Sequence, residues 1–155
     1  MSGSNDALRV TQSEEVSIEL PSKPEFVRTG RLVVAAVARH HEFGDEQVED
    51  LKIAVSEALT NSVRAHLDAG VSDPVHIRLA LVEDALVIEV RDRGRGFNPD
   101  EVPVIGATPL PGSLENGLGL MLIRSLITDT VIERSADSGM LIRMTLKREV
   151  EPAEV

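Results

Sequence analysis

Residues 45–63 read DEQVEDLKIAVSEALTNSV, and the architecture follows from how this stretch must fold. Val48, Leu51, Val55, Ala58, Leu59 and Val63 recur at helical spacing, which gathers them into one apolar stripe. Asp45 suits the capping position after the break at Gly44, and the pattern runs out near Gly70. A long amphipathic helix needs a layer to cover its stripe, and the flanking sequence supplies one. Downstream, Ile77, Leu79 and Leu81 alternate within residues 75–82, and a second apolar run, 86–90, follows the turn Glu83-Asp84-Ala85; this predicts a β-hairpin. Upstream, Val16, Ile18 and Leu20 alternate before Pro21, the period of a half-buried strand. A helix is expected from Ser22 to Pro24, where a capping serine and an early proline suit the first turn, to about His41. Helical spacing resumes over 118–127, and strands are expected over 130–133 and 140–147, joined by a turn at Asp137-Ser138-Gly139. The order β-α-α-β-β-loop-α-β-β predicts an α+β fold: a two-layer sandwich of a mostly antiparallel sheet with helices on one face.

A chain of 155 residues is long enough for one core and short for two. Residues 1–13 are polar and aperiodic and are expected to be disordered, residues 14–148 form the domain, and the Glu/Pro segment 149–155 is expected to be a flexible tail. With three Phe and no Trp or Tyr, the core is built from Leu, Val, Ile and Ala, and aromatic stacking on nucleic-acid bases is disfavoured. The net charge of -10 repels phosphate backbones and anionic lipid, so neither nucleic acid nor membrane is expected as a partner, and a basic protein surface is. The absence of cysteine excludes disulfides and thiolate metal sites. No apolar run approaches the roughly 18 residues of a membrane span, and Met1 to Asp6 lack a signal pattern, so the expected location is cytoplasmic.

Three segments carry chemistry. Glu57 and Asn61 are four residues apart on the long helix, on neighbouring positions away from the Val48/Leu51/Val55 stripe. An asparagine carbonyl can supply one oxygen ligand to Mg2+, which takes few from protein, and a carboxylate one turn earlier can act as a base in phosphoryl transfer; an ordinary solvated helix face has the same residues. Asp92-Arg93-Gly94-Arg95-Gly96-Phe97 follows a strand, with glycines that let backbone approach a ligand and an Asp able to accept from an exocyclic amine such as adenine's; a turn capped by Asp reads the same. Asn116-Gly117-Leu118-Gly119-Leu120 precedes a helical pattern, and a glycine-rich helix entry offers N–H groups to phosphate. It lacks Gly-Lys-Ser/Thr and follows a loop, so it is neither a Walker loop nor a dinucleotide fingerprint. A plain helix start is the alternative.

Together, the boxes Glu-x-x-x-Asn on a helix, Asp-x-Gly-x-Gly after a strand and Gly-x-Gly at a later helix resemble the ATPase superfamily of gyrase, heat-shock chaperones, mismatch-repair proteins and histidine kinases. The resemblance covers roughly residues 15–148. Within it, the run Ala54-Val55-Ser56-Glu57-Ala58-Leu59-Thr60-Asn61 looks most like the anti-sigma factor serine/threonine kinases. The resemblance implies Asn61 as Mg2+ ligand, Glu57 as catalytic base, Asp92 as adenine partner, Gly94 and Gly96 as the turn beneath the base, and Gly117, Leu118 and Gly119 at the phosphates. Arg28, in Phe26-Val27-Arg28, matches an arginine that assists transfer, with Arg31 one turn on. Residues 98–116, including the proline-rich stretch Pro99 to Pro111, correspond to an ATP lid. Met140 stands where the family commonly has a threonine near adenine; it can pack on a base but cannot replace a hydroxyl's hydrogen bond. His66 is read as structural, and His40 and His41 as helix-end surface residues.

The implied protein binds Mg-ATP, holds a sigma factor inactive, phosphorylates a Ser/Thr of an antagonist protein, and forms a homodimer. Alternatives are a non-catalytic ATP-binding partner-switching module and a related switch kinase without a sigma factor partner.

Overall fold

The computed structural model describes residues 14–95, 114–127, 129–134 and 139–149. The expectations for residues 1–13, for the tail from 150 and for lid residues 98–113 lie outside the described residues. In chain order the elements are β1 (Glu15–Leu20), a 3-10 turn (Pro24–Phe26), α1 (Val27–His40), α2 (Asp45–Ala69), β2 (Val75–Val82), β3 (Ala85–Arg91), α3 (Leu114–Leu126), β4 (Asp129–Arg134) and β5 (Met140–Lys147). The strands form one sheet in the order β1-β2-β3-β5-β4, antiparallel at every pairing.

The period-two pattern of the strands sets which face is covered. Ile77 and Leu79 of β2, Leu86, Ile88 and Val90 of β3, and Met140, Ile142 and Met144 of β5 join one core with Leu51, Val55, Ala58 and Leu59 of α2. Burying each large aliphatic side chain contributes about 1.5–3 kcal/mol, so this shared interface supplies the main drive for the two layers. α2 is the central helix: α1 packs on one side of it and α3 on the other, and it also reaches β2 and β3.

The opposite face of the sheet carries a row of charged side chains. Arg78 bridges Glu15 (Nε–Oε1 2.7 Å) and Glu89, and Arg143 reaches Glu89 (3.7 Å) and Glu133 (4.0 Å). An alternating ladder, Glu15–Arg78–Glu89–Arg143–Glu133, therefore crosses all five strands. The Arg78 guanidinium holds the Glu15 carboxyl below the usual range.

The helix boundaries differ from the sequence expectation in three places. Pro24 opens a 3-10 turn before α1, with no side-chain cap bond from Ser22's neighbourhood. Gly44, in extended conformation, takes the cap of α2, and Asp45 is its first helical residue, where its charge meets the positive end of the helix dipole. α3 begins at Leu114, four residues before the expected start, so residues 114–116 belong to a helix and not to the lid. Each glycine inside that helix costs up to about 1 kcal/mol relative to Ala; burial of Leu120 and Ile123 offsets it. The end of α2 matches expectation: Gly70 is left-handed (φ 67°), and Val71 N–H donates to His66 O at 2.9 Å, closing the helix.

Leu51 is fully buried and Leu67, on the same helix, is 63% exposed. Leu51→Ala should therefore lower unfolding stability in urea by about 2–5 kcal/mol, while Leu67→Ala should stay within about 0.5 kcal/mol of wild type.

Candidate functional site

The chemistry-bearing residues line up along α2. Glu57, Asn61 and Ala65 occur at successive turns of one face, and the step of eight residues from Glu57 to Ala65 spans about 12 Å of helix axis. That is comparable to the reach from base to terminal phosphate in an extended nucleoside triphosphate.

At the Glu57 end, α3 comes against α2 through a glycine. A Cβ built on Gly119 would lie 2.9 Å from Glu57 Oε2 and 3.5 and 3.6 Å from the Asn61 amide atoms. A side chain here would displace the Glu57 carboxylate from the place where the two polar side chains converge. Asn61 Nδ2 is buried and has no hydrogen-bond partner among the described residues. Since the two ends of an amide are assigned by their partners, one end of this amide is held from water with its bonding capacity unused. A carboxylate and an unpartnered amide beside the first turns of a helix form an oxygen-rich donor set that fits a hard cation carrying phosphate oxygens. Gly117 and Leu118 sit in those first turns, with Leu118 half exposed; the glycines are within α3 instead of opening it.

At the other end, β3 runs out into Asp92, Arg93 and Gly94. A Cβ on Gly94 would fall 2.6 Å from Ala65 Cβ, so only glycine lets this backbone lie against α2. Asp92 Oδ1 accepts from Gly94 N–H (3.0 Å) and Met140 N–H (3.3 Å), while Asp92 N–H donates to Met140 O (3.0 Å). Gly139 makes that clasp possible: its φ is +94°, and a Cβ there would lie 2.1 Å from Asp92 O. Two bonds on Oδ1 leave acceptor capacity on the carboxylate for an amine. Gly96 lies outside the described residues.

Arg28 and Arg31 face Glu57 across an open groove of about 450 Å³ between α1 and α2, also lined by Leu32, Lys52, Ile53 and Ser56. Lys52 and Ser56 were not singled out from sequence; their four-residue spacing on α2 is a signal shared with any helix surface. Met140, expected near a base, is 2% exposed and its side chain belongs to the core; its backbone, not its side chain, engages Asp92. His66 is fully buried, in keeping with a structural residue.

Residues 20–146 match the Histidine kinase-like ATPase domain family. The chain belongs to this family. It is 36% identical over 143 residues to the serine-protein kinase RsbW of Halalkalibacterium halodurans, covering 89% of this chain and 86% of the relative. It is 37% identical over 141 residues to RsbW of Listeria monocytogenes serotype 4b, covering 87% and 88%. Within the family it is, with these relatives, an ATP-dependent serine/threonine protein kinase. Two solved structures share the fold. The RsbU and RsbW domains of a Mycobacterium tuberculosis protein align with TM-score 0.63 at 18% identity, over 87% of this chain and 32% of that longer one. One chain of the SiaB–SiaC complex of Pseudomonas aeruginosa aligns with TM-score 0.64 at 11% identity, over 93% of this chain and 95% of that one. Among the described residues no helix is long and apolar enough to cross a membrane.

Burial raises the Asp92 carboxyl above the ordinary aspartate range; the N–H groups of Gly94 and Met140 pull it part of the way back. The folded chain thus holds this proton more tightly than the unfolded chain. The stability linked to it is full below the ordinary aspartate range and is lost as pH rises through the elevated value. In Asp92→Asn no charge is buried, so its melting temperature relative to wild type should rise from about pH 4 to about pH 7. Nucleotide-free thermal denaturation at both pH values checks this; a constant offset would show that ionising Asp92 costs the fold nothing.

Proposed function

We propose that this chain is a Mg-ATP-dependent partner-switching kinase that holds a sigma factor inactive and phosphorylates a serine or threonine of an antagonist protein, working as a homodimer. The observation that supports it most is the convergence of Glu57, Asn61 and Gly119, where a carboxylate and an unpartnered amide meet the second turn of α3. The RsbW relatives, named as serine-protein kinases, support a protein hydroxyl as acceptor. The net charge of -10 suits partners with basic nucleic-acid-binding regions.

In this reading Asp92 accepts a hydrogen bond from the adenine amine, with Gly94 letting the backbone pass beneath the base. Gly117, Leu118 and Gly119 place the first turns of α3 at the phosphates. Asn61 supplies one oxygen to Mg2+, which when bound neutralises charge on the phosphates. Glu57 takes the proton from the acceptor hydroxyl as that oxygen bonds to the terminal phosphorus and the bond to ADP breaks. Arg28, across the groove, offers charge to the phosphoryl group in transit, and Arg31 is the next cation along the helix.

Removing the metal ligand and removing the base should give different signatures. Asn61→Ala should weaken ATP binding chiefly when Mg2+ is present, in calorimetric titrations with and without the ion. Equal affinity to wild type in both would make Asn61 an ordinary helix-face residue.

Glu57→Gln should keep ATP affinity within a few-fold and slow transfer of labelled phosphate to a co-purified antagonist by about 10² to 10⁴. Transfer near the wild-type rate would remove Glu57 as the base. Absence of transfer by the wild type to any co-purified partner would favour the non-catalytic, ATP-binding module.

A further inference from the structure

The proposed chemistry leaves unused a histidine just beyond Asn61 on α2. His66 is fully buried, and both ring nitrogens are engaged. Nδ1 lies 2.9 Å from the carbonyl oxygen of Asp73, and Nε2 lies 2.8 Å from the backbone nitrogen of Arg93. A carbonyl only accepts and a backbone N–H only donates, so Nδ1 carries the proton and Nε2 accepts: the ring is neutral and in one tautomer. Arg93 closes the circuit, because its Nη1 pairs with Asp73 Oδ2 at 3.1 Å. The end of α2, the α2–β2 connection and the exit of β3 are thus joined in a closed ring of polar contacts.

The peptide held by Nε2 sits between the two residues that matter most at this end of the site. Asp92 precedes Arg93, and Gly94 follows it, bonded to Asp92 Oδ1 and packed on Ala65, the residue next to His66. A shift of the Arg93 peptide would turn the carboxylate and lift the glycine from the helix together.

We propose that His66 is a positioning residue for the nucleotide base: its Nε2 fixes the Arg93 peptide and thereby aims the Asp92 carboxylate, a role separable from its share in stability. The proposal rests on the reading of Asp92 as the adenine partner. The two nitrogens can be tested apart, because an asparagine amide reaches only about as far as Nδ1, whereas a glutamine amide reaches as far as Nε2. His66→Asn keeps a donor for the Asp73 carbonyl and leaves the Arg93 N–H without its acceptor. His66→Gln does the reverse.

Titration of the purified chain with Mg-ATP and Mg-ADP should show His66→Asn weakened by about tenfold for both nucleotides, the scale of one lost buried hydrogen bond. His66→Gln should stay within about threefold of wild type, although both variants lose melting temperature to a similar extent. Affinity that falls alike in both variants, or in neither, overturns the proposal. Asp92→Asn is titrated in parallel: if it binds as wild type, the adenine reading itself fails, whereas loss there with full affinity in His66→Asn overturns only the role of His66. Where a variant does not fold, nitrogen-15 spectra of the wild-type histidine rings decide. A neutral, Nδ1-protonated His66 is expected, and an Nε2-protonated ring overturns the proposal.

Discussion

The architecture depends on how closely backbone can approach α2. The helix is met from one side by α3 at Gly119, where a side chain would displace the Glu57 carboxylate, and at its end by the β3 exit at Gly94, where Ala65 leaves no room for one. Glycine costs roughly 0.5–1 kcal/mol against Ala within a regular element, and burial of Leu120, Ile123 and Val90 on the flanking segments offsets that cost. The close approach makes one helix face into a track with a metal-and-phosphate end and a base end. Widening either contact would leave the same residues present and no longer convergent.

Along this track the folded chain is under-satisfied. Asn61 keeps one end of its amide buried and unpartnered among the described residues, and Asp92 holds a carboxyl whose charge burial opposes. Both are costs to the free protein, and a ligand that bonds to them only in the native state would relieve them. The groups around them are, by contrast, held by bonds, the Met140 backbone and Gly94 on Asp92 and the Asp73 carbonyl and Arg93 peptide on His66, although Ser62 Oγ is unpartnered among the described residues. The rigid part of the site surrounds the parts left open, which is what holding a nucleotide in one orientation requires.

Much of this was legible in the sequence because the signals are local. The i, i+4 pair Glu57 and Asn61, the apolar stripe of α2 and the alternation of β2, β3 and β5 each need only short-range geometry, and the element order and layer arrangement follow from them. The rest depends on contacts between distant segments. That Gly94 abuts Ala65, that Gly139 clasps Asp92, and that His66 reaches Arg93, 27 residues away, leave no periodic trace. The start of α3 was misplaced because two glycines read as a helix entry, although apolar burial farther along carries the helix back through them. Met140 was placed by analogy at the base, but its position at the start of β5 sends its side chain into the core.

The charge ladder on the outer face of the sheet bears on how the chain finds its fold. Arg78, Glu89 and Arg143 alternate with Ile77, Ile88 and Ile142 along their strands, so a slip of one residue in pairing would drive guanidinium groups under the helices and turn isoleucines toward water. It would also separate the opposite charges that the native register brings together. Each of the exposed pairs is worth little as stabilisation. Together with the alternating isoleucines they favour the native register over misaligned sheets that hydrogen bonding between backbones could not tell apart.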